Sequence, residues 1–196
     1  DVGSLLDRGR ERTKAERLNV GFQEADAEAL PFNDASFDVV LSTFGVMFTP
    51  DHAKAAKEML RVCRPGGKIG MANWTPEGFI GQLFKLIGKY VPPAPGMKSP
   101  AMWGSHTHLE ALFGSKVSIA AEKKHFNFRY KSPEHWLEIF RTYYGPVLKT
   151  FQAVDPTERA SFERDIHALL DELNVAKDGT LVVPSEYLEV VITKKR

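Results

Sequence analysis

Two short stretches carry residue types placed to recognise a polar small molecule. Ala25-Asp26-Ala27 ends an extended segment carrying Val20 and Phe22, and Ser42-Thr43-Phe44-Gly45 follows a mostly apolar run, Phe37-Asp38-Val39-Val40-Leu41. A carboxylate at the carboxyl end of a parallel strand projects into the crevice where open α/β sheets bind ligands. Read alone, Asp26 serves equally as the acceptor of an Asx-type turn. The Ser42–Gly45 segment reads either as a ligand-lining turn, with Gly45 letting the backbone pass close by, or as a plain strand-to-helix loop. Among six histidines, His52 opens a helix beside the crevice and is the one placed to act as a base, although a surface position is the simpler reading. His106-x-His108 has no acidic or cysteine partner at a zinc-like spacing and reads as two solvated imidazoles. No nucleophile elbow G-x-S-x-G and no phosphate-binding P-loop occurs in the sequence.

The elements that must hold these residues alternate. Leu5, Leu6, Gly9 and Thr13 share one face of an amphipathic helix over Leu5–Lys14. Val20–Ala25 reads as extended. Phe37–Ser42 is short and β-branched, which suits a strand buried on both faces of a parallel sheet. Thr49 can cap the next helix, with Pro50 at its first position and Asp51 favourable to its dipole. Its buried stripe is Ala53, Ala56, Leu60 and Cys63, while Lys54, Lys57, Glu58, Arg61 and Arg64 point to water. Pro65-Gly66-Gly67 stops the helix and Lys68–Trp74 is the following strand, completing a βαβ unit. Beyond Trp74 come an aromatic, proline-broken stretch, a helix over Thr107–Phe113 and an extended Lys116–Tyr130. A helical region over 133–173 follows in two pieces, with breaks near Gly145-Pro146 and Asp155-Pro156. The final strand is Tyr187–Thr193.

Three blocks in order, Ala25-Asp26-Ala27-Glu28-Ala29-Leu30-Pro31-Phe32, Ser36-Phe37-Asp38-Val39-Val40 and Glu58-Met59-Leu60-Arg61-Val62-Cys63-Arg64-Pro65-Gly66-Gly67, resemble class I S-adenosylmethionine-dependent methyltransferases. The similarity is greatest to the branch that includes the quinone-biosynthesis enzymes. The resemblance implies an α/β fold, a Rossmann-like and mostly parallel sheet with an antiparallel last strand and a helical cap. It implies S-adenosylmethionine as cofactor and methyl transfer to a small apolar or aromatic acceptor. In that family the acid matching Asp26 accepts from the adenine amino group, and the Ala27 N–H meets a ring nitrogen. The turn matching Ser42, Thr43 and Phe44 lines the methionine part, and the acid whose place Asp1 roughly takes binds the ribose hydroxyls. The resemblance implies no catalytic residue: the sulfonium makes the methyl electrophilic, so alignment and exclusion of water do most of the work.

The chain of 196 residues is read as one domain, with cap insertions at about 79–115 and 131–180. Trp74, Phe79, Phe84, Met97, Met102, Trp103, Trp136, Phe140, Tyr143 and Tyr144 either pack that cap or line an acceptor pocket beneath it. A net charge of +1 argues against a general nucleic-acid binder. One cysteine excludes an internal disulfide, and no metal set or membrane span is read. A cytoplasmic location is expected. The family's glycine-rich turn is absent, since no G-x-G occurs. This leads to three expectations: that the natural protein has further N-terminal residues carrying that turn, that these 196 residues alone hold the cofactor poorly, and that an exposed sheet edge invites homo-oligomers. A methyltransferase-like module that binds without catalysing is the alternative function. A nicotinamide oxidoreductase also needs the missing glycine motif and does not account for the Asp26 and Pro65-Gly66-Gly67 blocks.

Overall fold

A computed structural model describes residues 2–195. Helix α1 covers Val2–Ala15 and strand β1 Phe37–Thr43, followed by a 3-10 turn at Val46–Phe48. Helix α2, His52–Val62, leads into β2, Cys63–Trp74. Helix α3, Phe79–Tyr90, a 3-10 segment Pro100–Gly104 and α4, His106–Phe113, precede β3, Val117–Tyr130. Helices α5, Pro133–Tyr143, α6, Gly145–Ala153, and α7, Pro156–Leu173, precede β4, Leu181–Lys194. The sheet runs β1-β2-β4-β3, with β1 and β2 parallel and β4 antiparallel to both neighbours. This is an α/β arrangement of parallel and antiparallel strands with an antiparallel last strand. Among the described residues no helix is long and apolar enough to cross a membrane.

Local chemistry explains the punctuation. The cap of α2 is Asp51 rather than Thr49, its carboxylate accepting from the Ala53 and Lys54 N–H groups at 3.0 Å each. The Thr49 hydroxyl donates instead to the Val46 carbonyl (2.8 Å) and closes the 3-10 turn. With the cap two residues later, the buried stripe of α2 becomes His52, Ala55, Ala56, Met59 and Val62, and Ala53 faces solvent. Pro65-Gly66-Gly67 forms the irregularity where the β1–β2 register jumps from Phe37↔Cys63 to Val39↔Lys68. Gly66 is left-handed (φ 76°), and a Cβ on Gly67 would stand 2.8 Å from the Asp38 carbonyl oxygen, so only glycine fits both demands. The helical region over 133–173 is three helices, because each proline begins a new one. Asp155 and Glu158 form a reciprocal capping box at α7.

Two expectations about strands fail. Val20–Ala25 forms no strand: among the described residues no partner edge lies beside it, and without a ladder an extended segment gains no hydrogen bonds. Among the described residues the only pairing nearby is an isolated bridge, Asp26↔Ala29. Nor is β1 buried on both faces. It is an edge strand, and Val39 and Leu41 are 52% and 75% exposed on the face that no element covers among the described residues. Val40 meets the core on the other face.

Candidate functional site

The site is assembled at the carboxyl end of β1 and the N-terminus of α2. Asp26 sits in an exposed turn, its Oδ1 accepting from Glu28 N–H (2.8 Å), while the Ala29 N–H donates to the Asp26 carbonyl (3.0 Å). The Asx turn is therefore formed. It engages one carboxylate oxygen, and among the described residues neither Oδ2 nor the Ala27 N–H has a hydrogen-bond partner. Glu28 reaches forward, its Oε1 accepting from Asp51 N–H at 2.7 Å, which ties the turn to the cap of α2.

Two charged side chains of α2 fix the rest of this loop. Glu58 accepts from Leu30 N–H (2.7 Å) and from Arg61 Nε and Nη2 (2.8 Å each). Arg61 in turn donates to the carbonyls of Phe32 (2.7 Å) and Leu30 (2.9 Å) and to Asp34 Oδ1 (2.9 Å). The Arg61 hydrogen bonds hold the Glu58 carboxyl below its ordinary range, and Glu58 and Asp34 raise Arg61 further. The expectation that both side chains point to water is thus corrected. Each is half-buried, because partners 27 to 31 residues away in sequence lie across the helix. These were the functional positions that sequence reasoning missed. The one available signal was their place inside the block that carries the family resemblance.

The second turn shares the α2 N-terminus. Ser42 Oγ accepts from Val46 N–H (2.9 Å), so the hydroxyl shapes the turn. Thr43 is exposed. Phe44 has φ 53°, a left-handed conformation costly for a residue with a Cβ. Such strain gathers at ligand sites, where the surroundings enforce it. Here the enforcement is visible: Phe44 N–H donates to the Ala72 carbonyl (2.8 Å), and its ring stacks on Trp74 with centroids 4.0 Å apart. Asp26, Ala27, Ser42, Thr43 and Phe44 thus occupy two turns that both lead to one helix start. Asp1 lies outside the described residues.

The histidines depart from expectation. His52 is 2% exposed and faces Trp103, and its Nδ1 lies 3.0 Å from His108 Nε2. Burial first, then the neighbouring His108 and Lys98, lowers the His52 pKa to about 4; burial and Lys98 lower that of His108 as well. Neither the surface reading of His52 nor the solvated reading of His108 holds, since α4 packs its second histidine onto the start of α2. His106 is exposed as expected. Among the described residues no group of three potential ligands gathers around a metal position.

Beyond the Phe44 turn, Phe48 opens onto an apolar pocket of about 240 Å³ between α3, the 91–100 loop and the start of α6. Of the aromatic and methionine residues singled out from sequence, Phe84 and Met97 line it. Phe79, Trp103 and Trp136 are buried packing, and Tyr143 is 77% exposed.

Comparison with known proteins agrees with this arrangement. The family model described as a methyltransferase domain matches residues 3–71. An uncharacterised protein of Mycobacterium tuberculosis is 40% identical over 173 residues, covering 86% of this chain and 63% of its own length. A second from the same organism is 34% identical over 194 residues, covering 97% of this chain and 70% of its own length. A demethylmenaquinone methyltransferase of Deinococcus radiodurans is 36% identical over 110 residues, 55% of this chain and 46% of that protein. The chain thus spans just under two thirds of the first of these relatives. The crystal structure of the YcgJ protein from Bacillus subtilis shares the fold, with a TM-score of 0.59 at 16% identity over 98% of this chain and 79% of that one. The chain belongs to the class I S-adenosylmethionine-dependent methyltransferase family.

Proposed function

We propose that the protein transfers the methyl group of S-adenosylmethionine to a small apolar or aromatic acceptor. The observation that carries this reading is the pair of turns meeting at the start of α2, one with an unengaged carboxylate oxygen and N–H, the other strained at Phe44. These fit one end of a nucleoside cofactor: Asp26 Oδ2 is free to accept from an exocyclic amino group, and the Ala27 N–H is free to donate to a ring nitrogen. The turn of Ser42, Thr43 and Phe44 would border the remainder. Held there, the cofactor would supply an electrophilic sulfonium methyl group.

What this chain's own residues do is bind, orient and keep the acceptor dry. Glu28, Glu58 and Arg61 hold the Asp26 loop in place, and Phe48 and Phe84 give the acceptor side apolar walls. No side-chain base is required for an acceptor that presents its lone pair directly. The demethylmenaquinone enzyme among the relatives supports an apolar ring as acceptor class.

Calorimetric titration of S-adenosylhomocysteine into the intact protein tests the reading. Asp26→Ala should weaken binding about tenfold, the scale of one lost hydrogen bond of the stronger kind. Unchanged affinity would return Asp26 to its Asx turn alone.

A further inference from the structure

We infer that the pocket beside Phe48 takes an apolar acid of one or two rings, with its anionic oxygen held by Lys98. This rests on the methyl-transfer reading for its role as acceptor site, but its binding chemistry is independent of it. Phe48, Phe84, Ile87, Val91 and Met97 supply apolar walls. Phe48 and Met97 are 44% and 50% exposed, so this end of the molecule presents an uncovered apolar patch. The volume of about 240 Å³ lies below the ~300–1,000 Å³ of sites for drug-sized ligands, which limits the occupant to one or two rings.

Lys98 sets the charge. Among the described residues it is the one ionisable side chain in the lining. Among the described residues it makes no ion pair with any carboxylate. The titratable groups on which its charge acts are the His52 and His108 imidazoles, at the start of α2 and on α4. The carboxylate acting on His52, that of Asp51, has its own cation in Lys54 at 3.7 Å and caps α2 besides. An apolar cavity with one uncompensated cation at its rim is complementary to an apolar body with one anionic oxygen, a carboxylate or an ionised hydroxyl.

Gly88 makes the idea testable without risk to the fold. It lines the pocket from within α3, and a Cβ built there meets nothing within 4 Å. Gly88→Leu therefore fills the cavity while improving helix propensity. The probes are 2-naphthoate and its neutral counterpart 2-naphthamide, titrated calorimetrically into the cofactor-free intact protein. Naphthoate should bind about tenfold more tightly than the amide. Lys98→Met should bring the two within about twofold, and Gly88→Leu should abolish both. Equal affinities in the wild type, or a preference that survives Lys98→Met, would overturn the role of Lys98. Binding that persists in Gly88→Leu, or no binding of either probe, would overturn the pocket. Naphthoate binding without S-adenosylhomocysteine binding would sink the methyl-transfer reading alone, and the reverse would sink this pocket alone.

Discussion

Removing the Glu58 carboxylate should release the loop that presents Asp26. That carboxylate accepts the Leu30 N–H and two arms of Arg61, and its side chain is only 14% exposed. Glu58→Ala deletes the loop's backbone contact at Leu30 and frees the Arg61 fork that holds the Leu30 and Phe32 carbonyls. One hydrogen bond to a charged acceptor is worth about 1.5–3 kcal/mol net. Taking about 2 kcal/mol, the opening equilibrium of residues 26–34 should rise roughly 30-fold. Amide hydrogen exchange reads this directly, because local opening of that magnitude speeds exchange in the loop while the core strands stay protected. Glu58→Gln keeps an acceptor oxygen and should fall between the two. The effect also carries a pH signature. Arg61 holds the Glu58 carboxyl below its ordinary range, so the tether is complete above that range and is lost as pH falls through the lowered value. Loop exchange, corrected for its intrinsic rate, should accelerate in acid in the wild type and become pH-flat in Glu58→Ala. Exchange in residues 26–34 within about twofold of wild type would refute the claim that this pair positions the loop.

Three further outcomes are expected. Phe44→Gly and Phe44→Ala both lose the stack on Trp74, but glycine accepts φ 53° freely, so thermal denaturation should find the glycine variant about 1 kcal/mol more stable; an alanine variant of equal stability would contradict the strain. The unfolded chain binds a proton at His52 near pH 6.5 while the folded chain resists it until about pH 4, so stability should fall as pH drops across that window. Denaturant titrations of His52→Leu should show a shallower fall, and an unchanged slope would count against burial as its cause. Gly104→Ala should destabilise by about 1–3 kcal/mol in denaturant melts, because its Cβ would stand 2.2 Å from the Trp74 carbonyl oxygen and backbone must give way; a neutral result would show that the Pro100–Gly104 segment shifts at no cost.

The βαβ unit was legible because its signals are local: a β-branched run, a helix with oxygen-bearing capping residues before it and a second strand all fall within forty residues, although Pro50 precedes the Asp51 cap and Pro65-Gly66-Gly67 lies inside β2 rather than ending α2. The error at the α2 cap was also local, two oxygen-bearing residues competing for one role with Thr49 taken up by its own 3-10 turn. What the sequence could not disclose depends on partners distant along the chain. A charged residue on a helix reads as solvated until its acceptor is known, and those of Glu58 and Arg61 lie about thirty residues back. His52 and His108 are 56 residues apart, and nothing in either neighbourhood announces the other. Val20–Ala25 shows the converse: Val20, Phe22 and Ala25 mark a candidate strand, but a strand exists only where another edge pairs with it.

The strand order has a consequence for biosynthesis. Strand β4 comes last of the four in the chain yet lies between β2 and β3, pairing with Lys68–Trp74 on one side and Val117–Tyr130 on the other. While the ribosome is still adding residues 131–180, about 3–10 s at ordinary elongation rates, β2 and β3 have both been made and neither has its neighbour. Two unsatisfied edges, one carrying Ile69 and Met71, are then open to pairing with other nascent chains. The arrival of Leu181–Lys194 closes both at once. It also brings the Lys194 ammonium onto the Leu60 and Cys63 carbonyls at 2.8 Å each, where α2 gives way to β2. Assembly of these four strands is therefore gated by the one that comes latest among them. A stop codon before residue 181 should leave an aggregating product, whatever the quality of the helices already formed.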